Sequence, residues 1–210
     1  MEIISVSNSD QLALKTNEWI KNEVQSEETK SIFLPAGNTP MPLYKYWNEN
    51  QPPFLKELTF QPVDDVIKGS RTGVFEEFFT KHLPKFKGQI RPIQDDLPLA
   101  DLTILGLGEN GHVAFHEPGI PLDFFGGCIR LSDKTCSNLG IDNGAWGLTY
   151  GLASFLSTRS ILVIVSGEKK QSILRRFIEE EGTFPATYLK NHVRLTVIAD
   201  QSAIGDSLEF

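Results

Sequence analysis

Short apolar runs alternate along the chain with stretches of helical periodicity. Glu2–Val6, Ser31–Leu34 and Ser160–Val165 read as strands, as do residues 58–63, 102–105 and 193–199, and 129–131 is a shorter candidate. Between them, Leu12, Leu14, Trp19 and Ile20 fall on a helix that Ser9 can cap. Tyr44 and Trp47 mark a short helix after a Gly/Pro turn, and Val74, Phe75, Phe78 and Phe79 recur at helical spacing. Residues 146–156 and 172–179 read as further helices. Continuous apolar strands alternating with helices imply an α/β fold whose parallel sheet is covered on both faces. No repeat, low-complexity tract or linker interrupts the pattern, so residues 1–210 read as one domain. The phenylalanines at 75–79 read as core.

Composition narrows the function classes. The 210 residues with 40% hydrophobic content suit one domain with a sizeable core. A net charge of -7 argues against a nucleic-acid surface but is compatible with a local basic pocket. No apolar run is long enough to span a bilayer, and residues 1–5 lack the pattern of a secretory leader. Cys128 and Cys136, with seven residues between them, fit no metal-knuckle spacing and read as free thiols of a reducing, cytoplasmic compartment.

Four segments carry residue types suited to chemistry, each at the end of an apolar run. Leu34-Pro-Ala-Gly-Asn-Thr-Pro40 opens a helix, with Thr39 as expected N-cap and Pro40 as first helical residue. Free N–H groups and the dipole there favour an anion, although the same residues also fit a capped helix without a ligand. Asp64 and Asp65 sit together at a strand end; alternation points them to opposite sides, so one faces the crevice. The glycine-rich bend at 105–119 carries Asn110, His112 and Glu117, a histidine and a carboxylate able to move protons near neutral pH. Val165-Ser-Gly-Glu-Lys-Lys170 places lysines against the dipole of a helix start, which favours a ligand-driven reason for them. His82 and His192 lie outside any motif.

The bend resembles the glucosamine-6-phosphate deaminase family, which shares its fold with the 6-phosphogluconolactonases. Both have a Gly-x-Gly-x-Asp-Gly-His core, and Ala114-Phe115-His116-Glu117-Pro118 is similar to the deaminase continuation Ala-Phe-Asn-Glu-Pro. Residues 34–40 resemble the family's phosphate loop, 63–66 its acidic strand end, and Phe184-Pro-Ala-Thr-Tyr-Leu189 a segment common to both branches. In order, the resemblance runs from Glu2 to about Ala203. It implies a modified Rossmann-type three-layer sandwich with a mainly parallel sheet. It also implies an amino-sugar-phosphate deaminase/isomerase that turns glucosamine 6-phosphate or galactosamine 6-phosphate into a ketose 6-phosphate plus ammonia. In that reading Asp64 abstracts the C2 proton, with Asp65 as the second acid in the substrate site. His112 assists ring opening, with Glu117 and Asn110 beside it. Ala36, Gly37, Asn38, Thr39, Gly108, Gly111 and Lys170 contact substrate or its phosphate, with Lys169 as the fallback lysine. No metal or other cofactor is implied. The partner is a phosphorylated sugar rather than nucleic acid or membrane, and a homo-oligomer stays open.

The chain departs from the family at several positions. Asn110 stands where the family has aspartate. An amide can orient His112 but cannot balance an imidazolium, so a lower His112 pKa and slower ring opening are expected, by up to about 10⁴-fold. Asn38 replaces a small residue, Val66 the tyrosine or arginine of the two branches, and His116 an asparagine; His116 could partly substitute for the charge missing at Asn110. Lys68 and Arg71 lie near Val66. Residues 90–101 are short where deaminases insert a helix, and 132–143 offer phosphate only Lys134. The chain ends soon after its last strand, which implies no allosteric site of the regulated deaminases' kind. The alternatives are a 6-phosphogluconolactonase-type hydrolase, a non-catalytic sugar-phosphate-binding protein and another sugar-phosphate isomerase.

Overall fold

A computed structural model describes residues 1–25 and 29–205. Six strands form a parallel sheet in the order β1-β9-β8-β5-β2-β3: β1 is Glu2–Val6, β2 Ser31–Leu34, β3 Thr59–Pro62, β5 Leu102–Gly106, β8 Ser160–Val165 and β9 Leu195–Asp200. A second, antiparallel sheet has the order β4-β7-β6, from β4 (Asp64–Lys68), β7 (Trp146–Tyr150) and β6 (Gly126–Arg130). The helices are α1 (Ser9–Val24), α2 (Met41–Asn50), α3 (Val74–His82), α4 (Asp133–Leu139), α5 (Leu152–Leu156), α6 (Gln171–Glu179) and α7 (Gln201–Ile204).

The apolar strands are continuous because the parallel sheet is buried on both faces. Along β8, Ile161, Val163 and Val165 pack with Phe155 of α5 and Leu174 and Phe177 of α6. The alternate residues Leu162 and Ile164 pack with Leu12 and Ile20 of α1 and Tyr44 and Trp47 of α2. The result is the three-layer sandwich expected from the sequence. Trp47 lies flat on Phe60 with centroids 5.4 Å apart. A smaller cluster of Val66, Phe115, Leu131 and Cys136 joins the second sheet to α4.

Several expectations about elements need correction. Residues 146–156 are not one helix. The first five form the central strand of the second sheet, paired on both sides, and only Leu152–Leu156 is helical. The strand expected at 58–63 is shortened to Thr59–Pro62, and Val63 joins the two sheets. Val63 donates its N–H to Leu34 O (3.2 Å) while its carbonyl accepts from Tyr150 N (3.0 Å). Val63 is thus the seam, and Asp64 begins the second sheet beside it. Asn8, not Ser9, caps α1, through Gln11 N–H at 3.0 Å. α2 begins one residue later than expected, with Pro40 as its N-cap and no side-chain cap from Thr39. Leu14 lies on α1 but is 41% exposed, and Val193 at 91% exposure precedes β9. Among the described residues, no helix is long and apolar enough to cross a membrane.

Candidate active site

In the strand order, β5 lies beside β2, yet the chain leaves β2 for one edge of the sheet and leaves β5 for the other. The loops after two such strands diverge, and the crevice between them is where open α/β sheets bind ligands. Here it is a cavity of 670 Å³ walled by the loop after β2, Asp64, the loop after β5, the turn after β8 and the inner face of α4. Ala36, Gly37, Asn38, Thr39, Asp64, Gly108, His112 and Lys170 all line it. A groove of 820 Å³ between α1, α2 and the end of α3 is larger, but no other strand-end segment reaches it and it shares only Asn38 with the crevice. Chemistry rather than size therefore assigns the site.

The two aspartates have separate tasks, as strand alternation requires. Asp64 faces the cavity, 6% exposed. Burial, and next the charge of Asp65, push its carboxyl well above the usual range, so it holds a proton more tightly than an exposed aspartate does. Asp65 points the other way and accepts the N–H groups of Val66 (2.7 Å), Phe75 (2.9 Å) and Glu76 (2.9 Å). It anchors the start of α3, whose own N-cap, Gly73, has no side chain to do so. The expectation that Asp65 contacts substrate is therefore corrected.

The bend after β5 holds His112 by close packing. Gly108 N–H bonds to His112 O (3.0 Å), and a Cβ on Gly108 would lie 2.4 Å from the imidazole ring. Gly111, at φ 81°, abuts Phe184 so closely that a Cβ would lie 2.1 Å from that ring. Gly111 does not reach the cavity; it shapes the bend, a correction to its expected substrate contact. Asn110 Oδ1 receives both the His112 backbone N–H (3.2 Å) and Nδ1 (2.5 Å). An amide oxygen only accepts, so Nδ1 carries the proton and Nε2 is left as the basic nitrogen. Burial holds the His112 pKa below its ordinary value; Glu117 and Glu109 oppose this shift, and Lys170 and Lys134 add to it.

Glu117 does not line the cavity. Its Oε1 accepts from Ser132 Oγ at 2.8 Å and from Thr135 Oγ1, the N-cap and a first-turn residue of α4. Asn110 lines a smaller adjoining space of 200 Å³ with His112, Lys134 and Lys170. His116 is fully buried, and its Nδ1 accepts the Leu152 N–H at 3.1 Å. It braces the loop against α5 and cannot stand in for the charge missing at Asn110. Lys68 is exposed and Arg71 reaches Glu77 at 3.7 Å, and neither lines the cavity as a cation in place of the missing arginine.

Lys170 donates to Leu107 O at 2.6 Å, and burial lowers its pKa while Glu109 acts against that. Lys169 lines the same cavity. The turn before them is set by Asp200, which accepts from Ser166 Oγ, Gly167 N–H (3.1 Å) and Ala203 N–H (2.8 Å). Ser166, Thr135, Asn138 and Phe75 line the cavity as well, and the sequence marks none of them as a site residue. Phe75 was read as core and does pack on Phe115 at 5.7 Å, but it opens α3 at the crevice end, where a first-turn residue reaches the ligand side. Among the described residues, no group of three or more His, Cys, Asp or Glu side chains is gathered to hold a metal ion.

Comparison with known proteins agrees with this architecture. The chain is 28% identical to a glucosamine-6-phosphate deaminase of Lactobacillus delbrueckii subsp. bulgaricus, over 97% of its length and 98% of that protein. It is also 28% identical to a glucosamine-6-phosphate deaminase of Bacillus cereus, covering 97% and 88%. A monomeric glucosamine-6-phosphate deaminase superposes with a TM-score of 0.83 at 19% identity, covering 97% of this chain and 98% of that one. The 6-phosphogluconolactonase of Leishmania guyanensis superposes with 0.79 at 15% identity, covering 99% of both. These two likenesses establish the fold alone. The family model described as glucosamine-6-phosphate isomerases/6-phosphogluconolactonase matches residues 77–198, and the chain belongs to that family.

Proposed function

We propose that the chain is an amino-sugar-phosphate deaminase/isomerase, converting glucosamine 6-phosphate or galactosamine 6-phosphate to a ketose 6-phosphate and ammonia. One observation carries the reading: a buried carboxylate, Asp64, and a neutral imidazole, His112, face one cavity whose rim is the loop 37–39 and Lys170. That rim suits a phosphate, with a loop leading into a helix on one side and a lysine on the other. His112 Nε2 takes the proton from the anomeric hydroxyl and returns one to the ring oxygen, opening the pyranose. The C2–H then lies next to a carbonyl and is acidified. Asp64 accepts that proton and delivers it to C1 while a proton of the amino group passes to O1, leaving a C1 hydroxyl and an imine at C2; water adds there and ammonia leaves. Asn110 fixes the tautomer that His112 needs but adds no charge, so ring opening is the step this chain performs less well.

The neutral His112 favours a second reading. A lactonase needs a base for water and a phosphate anchor, and His112 with Lys170 meets both needs; Asp64, buried with a raised pKa, has no part in that reaction. The test is ammonia release from each amino-sugar phosphate, run beside hydrolysis of 6-phosphogluconolactone. Ammonia from either sugar supports the deaminase. Lactone hydrolysis alone transfers His112 to water activation, and thermal stabilisation by the sugars without turnover leaves a binding protein.

A further inference from the structure

Glu117 influences His112 more than any other charge around it, yet it lies outside the cavity and is held by a different element. Its two hydroxyl donors are the N-cap of α4 and a residue of that helix's first turn. Ser132 is the N-cap of that helix, its Oγ accepting the Thr135 N–H at 3.2 Å while donating to Glu117 Oε1 at 2.8 Å. Thr135 Oγ1 donates to the same oxygen and also touches Ser132 Oγ at 3.0 Å. The same helix walls the cavity with Thr135, Asn138 and Leu139. We propose that Ser132 and Thr135 are positioning residues for His112: they fasten Glu117 to the helix that covers the cavity, so that where α4 sits decides where this carboxylate sits. The role rests on His112 being the acid–base group of the proposed reaction.

The charges facing His112 come from every side. Glu117 follows it in the loop, Glu109 precedes it in the bend, Lys170 approaches from the turn after β8 and Lys134 from α4. Asp64 shares the cavity from β4, and Asn110 is neutral. Glu117 favours the protonated ring, and Lys134 on the same helix disfavours it to a lesser degree. On this proposal Glu117, once freed from α4, no longer holds the place from which it favours the protonated ring, and the expected effect is a lower proton affinity of His112.

The test is an NMR titration of the His112 imidazole, assigned with His112→Gln, in the full-length protein. Thr135→Val removes a donor at nearly constant volume and is expected to lower the His112 midpoint by about half a unit to one unit, a fraction of what a close opposite charge supplies. Thr135→Ser restores the hydroxyl and the parent midpoint. In a Glu117→Gln background, Thr135→Val moves nothing further. An unchanged or raised midpoint in Thr135→Val, or an equal shift with Glu117 already neutral, overturns the proposal. Ser132→Thr and Ser132→Ala give the same comparison if Thr135→Val does not fold. Because the titration needs no turnover, it separates the two readings. A moved midpoint in a protein that releases no ammonia sinks the proposed function and leaves the positioning role standing. Turnover with an unmoved midpoint does the reverse.

Discussion

Asn110→Asp changes one atom type beside a proton of the site and should have a large, signed effect. The side chain sits 2.5 Å from His112 Nδ1 and also takes the His112 backbone N–H, so a carboxylate can keep both bonds without rearrangement. Two unit charges about 4 Å apart interact by roughly 4 kcal/mol at the effective dielectric of a partly covered site. Part of that is lost to desolvating the new carboxylate, so a rise of about 1 to 3 units in the His112 midpoint is expected. The parent ring is held low chiefly by burial, and the variant starts from there. The sign for catalysis follows. A base must be neutral, so the acid limb of kcat/KM moves to higher pH, while the plateau rate rises because imidazolium is stabilised. The gain at the plateau reaches at most about 10⁴-fold, the penalty known for replacing such a carboxylate by amide. The assay is ammonia release across pH, with an imidazole titration alongside. A shift below a few tenths of a unit, with an unchanged plateau, refutes the claim that Asn110 limits His112.

Other outcomes follow from the same geometry. Lys170→Ala should raise KM for the phosphorylated sugar by about 10-fold or more, the scale of one charge-assisted hydrogen bond, with a smaller change in kcat; an unchanged KM transfers the role to Lys169 or to backbone N–H groups. Gly108→Ala puts a Cβ 2.4 Å from the His112 ring and should cost about 100-fold in kcat by displacing the imidazole, and a near-parental kcat would show that the bend yields without cost. Asp64→Asn should raise Tm at pH 8 but not at pH 4. A carboxyl with a raised folded-state pKa contributes stability below its unfolded pKa, and that contribution is lost as pH rises through the folded value. Equal Tm changes at both pH values would mean that ionisation of Asp64 is not what burial opposes.

Much of the frame was legible in the chain because burial on both sheet faces writes itself as continuous apolar runs. β1, β2 and β8 have the limits read from sequence. The failure at residues 146–156 has a local cause: a strand and a helix meet at Gly151 with no polar separator, and their apolar residues merge into one run. The β-branched and aromatic residues of Trp146–Tyr150 were the overlooked signal. In the site, alternation required Asp64 and Asp65 to part, and it outranked the resemblance that gave both to substrate. His116 was legible as a departure but not as a brace, because its partner, Leu152, lies 36 residues away. The hold of Ser132 and Thr135 on Glu117 and that of Asp200 on the turn at 166–167 join distant segments through single side chains, and such contacts leave no periodic trace in a sequence.

The central claim is that Asp64 moves the C2 proton of an amino-sugar phosphate bound in this crevice. The most direct measurement is exchange of the C2 hydrogen of glucosamine 6-phosphate with deuterium oxide, followed by NMR in the parent and in Asp64→Asn, with substrate binding measured in both. The account predicts exchange in the parent, its loss in the variant and nearly equal affinity. Exchange that survives Asp64→Asn, or a parent that binds the sugar and neither exchanges the C2 hydrogen nor carries it to C1, contradicts it.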